Sequence, residues 1–153
     1  MEVHKLTQQN VDLYLACLRR AMAEEPNEMT AEEVDETGIR KRLEDPFFQN
    51  TVSLLAMENG EVIGRLEYHF YGCLQDGCKM AYVDWVYVLP EHRHKGAARQ
   101  LFQAFEQACI ASGIDQYYLI RSEEENADRF YHAFPDAELT REPLLRKFLS
   151  PDQ

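Results

Sequence analysis

Two segments of the chain repeat apolar side chains every three or four residues. The first segment, residues 10–22, has its apolar stripe at Val11, Tyr14, Leu15, Leu18 and Met22. The second segment, residues 96–112, has its stripe at Leu101, Phe102, Phe105, Ala108 and Cys109. This period predicts two amphipathic helices, each of which buries one face. Gly113 follows the second stripe directly and is typical of a helix C-terminal cap.

Runs rich in β-branched and aromatic residues predict the strands. These runs span residues 2–6, 51–58, 61–71, 80–88, 116–121 and 144–149. Asn59-Gly60 joins two of them and favours a tight hairpin. Residues 30–44 predict one broken helix or two short ones, interrupted by Gly38, and a further short helix ends near Phe134. The order β-α-α-β-β-β-α-β-α-β indicates an α+β, or mixed α/β, fold around one sheet.

The chain shows no sign of a boundary between domains. Its 153 residues contain no internal repeat, low-complexity tract or linker, and this length is sufficient for one buried core. We therefore predict a single domain over residues 1–153. No apolar run is long enough for a bilayer, and the N-terminus lacks the apolar core of a signal peptide. We predict a cytoplasmic protein that has no membrane partner.

The net charge of −11 narrows the choice of partners. Nucleic-acid binding needs clustered Lys and Arg, so we predict no nucleic-acid partner. A cationic partner is compatible with this charge. Seven acidic residues fall between Glu24 and Glu36. We interpret them first as a solvated helix face with its loop, and second as a surface that attracts a cationic substrate.

The four cysteines, at positions 17, 73, 78 and 109, do not form a metal motif. Cys17 and Cys109 lie on apolar helix faces, where a reduced cysteine behaves as a small hydrophobic residue. The spacing of Cys73 and Cys78 is neither a redox motif nor a zinc knuckle, so we predict no metal site. A disulfide between these two residues is disfavoured in the cytoplasm, and their pairing is left open.

The stretch after residue 88 carries the strongest indication of chemistry. A strand stops at Pro90, a turn containing Arg93 and Gly96 follows, and the second amphipathic helix then begins. The first N–H groups of a helix have no intrahelical partner, and the helix dipole favours negative charge there. Gly96 permits close approach of the backbone to an anion, and Arg93 and Lys95 can add charge-assisted contacts. Neither a P-loop nor a GxGxxG motif is present.

The motif Arg93-x-x-Gly96-x-Ala98, between a strand that ends in Val-x-Pro and an amphipathic helix, resembles the acetyl-CoA signature of the GNAT acetyltransferase superfamily. The resemblance implies a GNAT-like domain with a central, mostly antiparallel sheet flanked by helices. It also implies that the fourth and fifth strands splay apart. The family order of strands and helices covers most of the chain.

Downstream, Ala127, Phe130 and Tyr131 fit the family pattern, whereas Glu124 replaces the usual Asn and Pro135-Asp136 replaces Gly-Phe. The resemblance implies that Tyr131 is the general acid, with its hydroxyl near the CoA sulfur. The alternative is an aromatic side chain packed beside its neighbours. His132 is interpreted as a surface residue.

The resemblance further implies acetyl-CoA as the acyl donor. The residues that it assigns to donor binding are Val86, Tyr87, Val88, Arg93, His94, Lys95, Gly96, Ala97 and Ala98. Pantetheine would lie beside the strand and pair with the backbone around Val86 and Val88, as in strand addition. A backbone N–H there would also stabilise the oxyanion of the tetrahedral intermediate.

Acetylation of an amine requires a base, because an ammonium with a pKa near ~10.4 is almost entirely protonated at neutral pH. The candidates are Glu67 and Asp84, each among apolar and aromatic neighbours that would raise its pKa. Glu124 is a third candidate. For each of them the alternative is a carboxylate that points to solvent.

These observations favour an N-acetyltransferase that transfers acetyl directly from acetyl-CoA to a primary amine of a small cationic acceptor. A weaker similarity to aminoglycoside N-acetyltransferases suggests an aminoglycoside-like or polyamine-like acceptor. One alternative is a protein or peptide N-acetyltransferase, and another is a non-catalytic acyl-CoA-binding sensor. The identity of the acceptor and the oligomeric state, a homodimer included, are left open.

Overall fold

The computed structural model describes residues 1–150 and contains two compact units. The first unit is Met1–Ile120, and the second begins at Arg121. The single domain over residues 1–153 stays a prediction. Within the described residues, no helix is both long and apolar enough to cross a membrane.

The first unit is built on a five-stranded sheet in the order β1-β2-β3-β4-β5. The strands are β1 (Glu2–Lys5), β2 (Thr51–Glu58), β3 (Glu61–Gly72), β4 (Lys79–Val88) and β5 (Gln116–Leu119). Neighbouring strands from β1 to β4 are antiparallel, and β5 is parallel to β4. The mixed, mostly antiparallel sheet and its helices confirm the predicted α+β fold class.

Strand β5 pairs with only the first part of β4. The paired residues run from Met80 opposite Gln116 to Val83 opposite Leu119. β4 then continues along β3 as far as Val88. Over residues 84–88, β3 is therefore the one neighbour of β4 among the described strands, so the other edge of β4 is open there. The divergence of β4 and β5 stays a prediction.

Residues 1–150 contain four α-helices. They are α1 (Val11–Glu24), α2 (Glu36–Arg42), α3 (Ala97–Ala111) and, in the second unit, α4 (Glu125–His132). Both predicted amphipathic helices are confirmed, and Gly113 follows α3 with a φ of +68°. Short 3₁₀ turns occupy Pro26–Glu28, Pro46–Phe48 and Pro90–His92.

Helices α1 and α3 cover opposite faces of the sheet. Leu15 of α1 shares a buried cluster with Leu55 of β2, which lies opposite Arg65 of β3. Tyr68, an odd number of residues along β3 from Arg65, contacts Phe105 of α3 at 4.9 Å between ring centroids. Because side chains alternate along a strand, these contacts lie on different faces.

The prediction that Gly38 interrupts a helix is wrong. Gly38 lies inside α2, and its N–H donates to the Oδ1 of Asp35, the N-cap residue, at 3.0 Å. A Cβ atom at Gly38 would lie 2.0 Å from the other carboxylate oxygen of Asp35. The glycine therefore makes room for the cap that starts the helix, rather than ending it.

The predicted last strand, residues 144–149, is also wrong. These residues have no regular secondary structure, and their apolar side chains are exposed, Leu145 to 90% and Leu149 to 88%. The apolar positions of this segment occur in adjacent pairs, at Leu144-Leu145 and Phe148-Leu149. A strand alternates its faces, so this pattern cannot bury one side.

Candidate active site

The loop that follows β4 has the backbone shape of an anion site. The 3₁₀ turn Pro90–His92 leads to Gly96, which is the N-cap of α3 and has a φ of +87°. The N–H of Gln100 donates to the Gly96 carbonyl at 3.0 Å as the first bond of α3. The N–H groups of the preceding turn of α3 therefore lie beyond the intrahelical ladder and are directed out of its N-terminus.

Two residues of this loop adopt left-handed backbone angles. His94 has a φ of +62° and Gly96 a φ of +87°, and both residues, with Lys95 between them, are exposed. Left-handed residues next to a helix start turn successive N–H groups toward one point, which forms a concave anion-binding nest. We call residues 89–96 the donor loop.

The open part of β4 presents main-chain groups beside this loop. The N–H of Leu89 donates to Ile63 of β3 at 2.9 Å. Main-chain groups alternate in direction along a strand, so those of Val86 and Val88 face away from β3. The Val88 carbonyl accepts a hydrogen bond from Arg93 Nε at 2.9 Å. The N–H of Val88 and the N–H and carbonyl of Val86 therefore lie along the open edge of β4.

The side chain of Arg93 contacts the protein's own carboxylate. Its two terminal nitrogens donate to the two oxygens of Glu25, which immediately follows α1. Tyr87, whose side chain is buried, donates its hydroxyl to the same carboxylate at 2.7 Å. The phosphate contact expected of Arg93 stays a prediction, and its guanidinium lies against Glu25.

A cavity of about 760 Å³ lies in the first unit. Its wall includes residues of α1 and α2, the segment between these helices, and polar residues of β2, β3 and β4. Acidic side chains outnumber basic ones by six to three, namely Glu33, Asp35, Glu44, Asp45, Glu67 and Asp84 against Lys5, Arg42 and Arg65. The acidic run between α1 and α2 therefore contributes to a concave surface as well as to a solvated one.

Glu67 is the candidate base with the more perturbed environment. It lies opposite Ser53 in the β2–β3 register, and the Ser53 hydroxyl donates to its carboxylate at 2.9 Å. Burial raises the pKa of Glu67, and the nearby negative charge of Asp84 raises it further. A carboxylate with a raised pKa binds a proton more readily than an ordinary one, as a general base must.

A β-bulge brings Asp84 to the same wall. Glu67 pairs with Trp85 and Tyr68 with Val83, so Asp84 is the extra residue of β4. Strict alternation would put Asp84 and Trp85 on opposite faces, yet both line the cavity. The bulge thus redirects the Asp84 side chain toward Glu67.

His69 is a site residue that sequence reasoning missed. Its Nε2 is 2.7 Å from Asp84 Oδ2, and its Nδ1 is 3.0 Å from the Thr51 hydroxyl. One side-chain oxygen or nitrogen from each of Glu67, His69 and Asp84 lies within 4.8 Å of the others. The available signal was the alternation of polar with apolar residues along β3, which puts His69 two positions after Glu67 on the same face.

The aromatic part of the wall holds a half-buried cation in place. The Arg65 guanidinium lies 5.2 Å from the ring centroid of Trp85 and 5.8 Å from that of Tyr14. These cation–π contacts keep Arg65 beside the rings.

The second unit contains the remaining candidates. Tyr131 packs against Phe130 with 5.2 Å between ring centroids, and burial raises the pKa of its hydroxyl. The phenol is therefore protonated at neutral pH, as a general acid must be. Glu124 is exposed and precedes α4, and His132 is exposed, as expected, with its ring bonded to the Asp128 carbonyl at 2.8 Å. The roles of Tyr131 and Glu124 stay predictions.

None of the four cysteines forms a disulfide within residues 1–150. Cys17 and Cys109 are buried, and burial raises the pKa of each thiol to about 11. Such thiols are poor nucleophiles at neutral pH. Cys73 and Cys78 flank an exposed turn. The Cys73 N–H donates a hydrogen bond to the Cys78 carbonyl at 2.9 Å and closes this turn.

The fold is shared with solved acetyltransferases. An aminoglycoside acetyltransferase from an uncultured soil metagenomic sample, in complex with sisomicin, has a TM-score of 0.79 at 15% identity, with 96% of this chain and 95% of that chain covered. A ribosomal-protein-alanine N-acetyltransferase from Brucella melitensis biovar Abortus 2308 has a TM-score of 0.73 at 17% identity, covering 96% and 100%. An aminoglycoside N-acetyltransferase in complex with CoA has a TM-score of 0.68 at 18% identity, covering 96% and 99%. At these identities the likeness shows the fold alone.

Sequence comparison gives the family more directly. No curated protein matches the chain, but the model of the acetyltransferase (GNAT) family matches residues 13–134. That span contains the donor loop, the Glu67–His69–Asp84 cluster and Tyr131. The resemblance drawn from the loop motif, and the interpretation of the chain as an acetyltransferase, are confirmed at this level. The chain belongs to the GNAT acetyltransferase family.

Proposed function

We propose that this protein transfers an acetyl group directly from acetyl-CoA to a primary amine of a small cationic acceptor. The observation that carries the proposal is the Glu67–His69–Asp84 cluster on the wall of an acidic cavity. Two of its members lie on β3 and one on β4, and β4 runs directly into the donor loop. One strand thus joins a place suited to an ammonium with a place suited to a phosphate-bearing donor.

The donor half uses backbone groups. The N–H groups of the donor loop and of the α3 N-terminus suit a pyrophosphate that has to be held without hydrolysis. When bound, acetyl-CoA supplies a thioester whose carbonyl carbon accepts the amine. The outward main-chain groups of Val86 and the N–H of Val88 would pair with the pantetheine arm. An N–H in this position would also stabilise the developing oxyanion.

The acceptor half has to remove a proton. Deprotonating an amine of pKa ~10.4 at pH 7 costs roughly 4–5 kcal/mol, so a nearby base must accept the proton as the amine attacks. Glu67 fits this role because its pKa is raised by burial and by Asp84. Asp84, which His69 holds at 2.7 Å, would bind the ammonium by charge and orient it toward Glu67.

Tyr131 would complete the transfer by returning a proton to the departing sulfur. Its hydroxyl is protonated at neutral pH, since the ordinary pKa of a phenol is about 10 and burial raises it further. The free electron pair of the amine forms the new C–N bond, the C–S bond breaks, and the proton of Tyr131 neutralises the sulfur. In this proposal Glu67 is the base and Tyr131 is the acid.

The charge and volume of the cavity support a small cationic acceptor. The cavity has a volume of about 760 Å³, and six acidic residues line it against three basic ones. This excess of negative charge favours an amine with several positive charges, such as an aminoglycoside or a polyamine. A solved relative in fold acts on aminoglycosides and was captured with sisomicin. Another acetylates the alanine of a ribosomal protein, so peptides belong among the tested acceptors.

An amine panel that follows CoA release tests the proposal. We expect turnover with aminoglycosides or polyamines and little with peptides. Activity confined to peptides would overturn the small-molecule acceptor. A melting shift with acetyl-CoA but no turnover on any amine would instead favour a sensor.

The donor is tested separately by melting curves. A ligand at about 100 times its dissociation constant stabilises the folded state by about 2.7 kcal/mol. If acetyl-CoA at millimolar concentration left the melting temperature of the folded protein unchanged, the proposed donor would be wrong.

A further inference from the structure

Arg93 opens the motif that indicates a phosphate site, yet its side chain is already engaged. Nη1 donates to Glu25 Oε2 at 3.3 Å, and Nη2 donates to Glu25 Oε1, so the pair is bidentate. Nε donates to the Val88 carbonyl at 2.9 Å. All three guanidinium nitrogens therefore contact groups of the protein itself.

Glu25 is satisfied by the same arrangement. Besides Arg93, it accepts the hydroxyl of Tyr87 at 2.7 Å, and the Arg93 guanidinium lies 5.4 Å from the centre of the Tyr87 ring. The hydrogen bonds from Arg93 are the main reason that the pKa of Glu25 is lowered. The side chains of Arg93 and Glu25 are only 32% and 28% exposed, so solvent and salt screen the pair less than an ordinary surface ion pair.

This arrangement decides what Arg93 can offer to a phosphate. The bidentate face of a guanidinium is the part that matches the geometry of a phosphate or carboxylate, and here that face meets Glu25. The pair is also neutral overall. A phosphate that took Arg93 would have to displace Glu25 and leave this carboxylate, together with the Tyr87 hydroxyl, without its cation.

The pair also spans two elements that are distant in sequence. Glu25 is the residue directly after α1, Val88 is the last residue of β4, and Arg93 lies in the middle of the donor loop. A second contact, between Arg20 of α1 and Glu91, ties the same two elements at a more exposed position. The loop is therefore fastened to α1 just before its two left-handed residues, His94 and Gly96.

We propose that Arg93 and Glu25 are positioning residues for the donor. Together they hold the donor loop in the shape that presents its N–H groups to the pyrophosphate, and Arg93 does not itself bind phosphate. This inference rests on the proposed use of acetyl-CoA. According to this inference, binding of the anionic donor requires an acidic residue, Glu25. Charge alone would predict the opposite.

Two variants separate this role from direct phosphate contact. Arg93→Lys keeps the positive charge but loses the bidentate fork, and Glu25→Gln removes the carboxylate that receives it. We expect each to raise the Kd for acetyl-CoA, measured by calorimetry, about five- to tenfold. The Kd of the double variant should exceed the larger of the two single-variant Kd values by at most about twofold, because both substitutions break the same contact.

Glu24→Gln is the matched control. It makes the same change of charge at the neighbouring residue, whose carboxylate pairs with Arg20 at 3.5 Å and not with Arg93. We expect its Kd for acetyl-CoA to stay within about twofold of the wild type. S-acetylpantetheine, which lacks the pyrophosphate, provides the second readout: Arg93→Lys and Glu25→Gln should lose clearly less turnover with this donor than with acetyl-CoA.

Three results would overturn the inference. Near-normal acetyl-CoA binding by Arg93→Lys with unchanged or tighter binding by Glu25→Gln would show direct phosphate contact. Equal losses with acetyl-CoA and S-acetylpantetheine would show a general structural defect. If the wild type bound no acetyl-CoA, the proposed donor would fail and the inference with it, and this result is recognisable before any variant is made.

Discussion

The donor loop and the acidic cavity are built in different ways although β4 leads from one to the other. The donor loop is a continuous stretch that ends at Gly96, and it offers mainly backbone N–H groups. The cavity wall takes Ser53 from β2, Glu67 from β3 and Asp84 from a bulge in β4, and it offers side chains. A site made of contiguous backbone can be recognised from a short motif, whereas a site made of side chains depends on strand register.

The two regions also differ in how they respond to pH. Backbone N–H groups do not titrate in the physiological range, so these hydrogen-bond donors of the loop are present at every pH in that range. The Glu67–His69–Asp84 cluster consists entirely of titratable groups, and Glu67 has a raised pKa. The proposed function therefore expects protons to act mainly on the acceptor half.

The largest expected effect separates chemistry from donor binding. Glu67→Gln should lower kcat/KM for the amine by roughly 100-fold or more, because a general base is lost, and should leave the Kd for acetyl-CoA unchanged. Steady-state kinetics and calorimetry measure the two quantities. Glu61→Gln, an exposed acid at the start of the same strand, is the control. A fall in donor affinity equal to the fall in turnover would erase the distinction between the halves.

The next effect concerns the acid on the donor side. Tyr131→Phe should slow kcat by about tenfold to a hundredfold, since a proton donor is lost but the leaving thiol, of pKa about 8.5, is already a fair leaving group. The Kd for acetyl-CoA should change much less. Tyr118→Phe removes a hydroxyl that bonds to Tyr71 and serves as the matched control. Wild-type turnover in Tyr131→Phe would remove this residue from the mechanism.

A smaller effect tests the backbone nature of the donor loop. Gly96→Val should raise the Kd for acetyl-CoA about tenfold, because a side chain in the left-handed region costs roughly 1–2 kcal/mol and the loop would relax away from it. Gly77→Val is the control, since Gly77 also has a positive φ, +71°, and open space around its α-carbon. Both variants should lose similar stability in urea. Equal donor affinity in the two variants would contradict the assignment of this loop.

The smallest effect is a shift along the pH axis. Because the pKa of Glu67 is raised, log kcat/KM for the amine should rise with pH to a pKa above the ordinary carboxyl value of about 4.3. Asp84→Asn should move this limb to lower pH, since it removes a negative charge that raises the pKa. An unmoved limb in Asp84→Asn would mean that another group controls it.

The same shift has a consequence for stability. A group whose folded pKa is raised contributes stability that is complete below its unfolded pKa and is lost as pH rises through the folded pKa. The free energy of unfolding of Glu67→Gln, relative to that of the wild type, should therefore increase from pH 4 to pH 8. Urea unfolding at these two pH values measures the difference. Equal differences at the two values would contradict the raised pKa.

Sequence patterns predicted those helices and turns whose formation depends on neighbouring residues. The stripes of α1 and α3 and the Asn59-Gly60 hairpin follow from helical period and turn chemistry, which need no distant partner. Residues 144–149 were predicted as a strand on composition alone, and a strand also needs a neighbour and one face to bury. Gly38 was interpreted from its propensity, whereas the Asp35 cap decided its place in α2.

The site shows the same division. Glu67 and Asp84 could be chosen as bases because each lies among apolar residues in sequence. Their meeting could not be predicted, since it depends on a bulge that only the β3–β4 register reveals. His69 was missed, and Arg93 was expected at a phosphate because Glu25, its partner, lies 68 residues earlier in the chain.

The sequence by itself determined the family, the α+β class and the position of the donor loop. These properties are encoded in contiguous residues and in the period of apolar positions, so no long-range contact is needed to recognise them. Only the tertiary structure decided which carboxylate is partly buried, which residues share the cavity wall, and that Arg93 bonds to Glu25. Burial, register and charge pairing arise between segments far apart in the chain, and they exist only once those segments have packed.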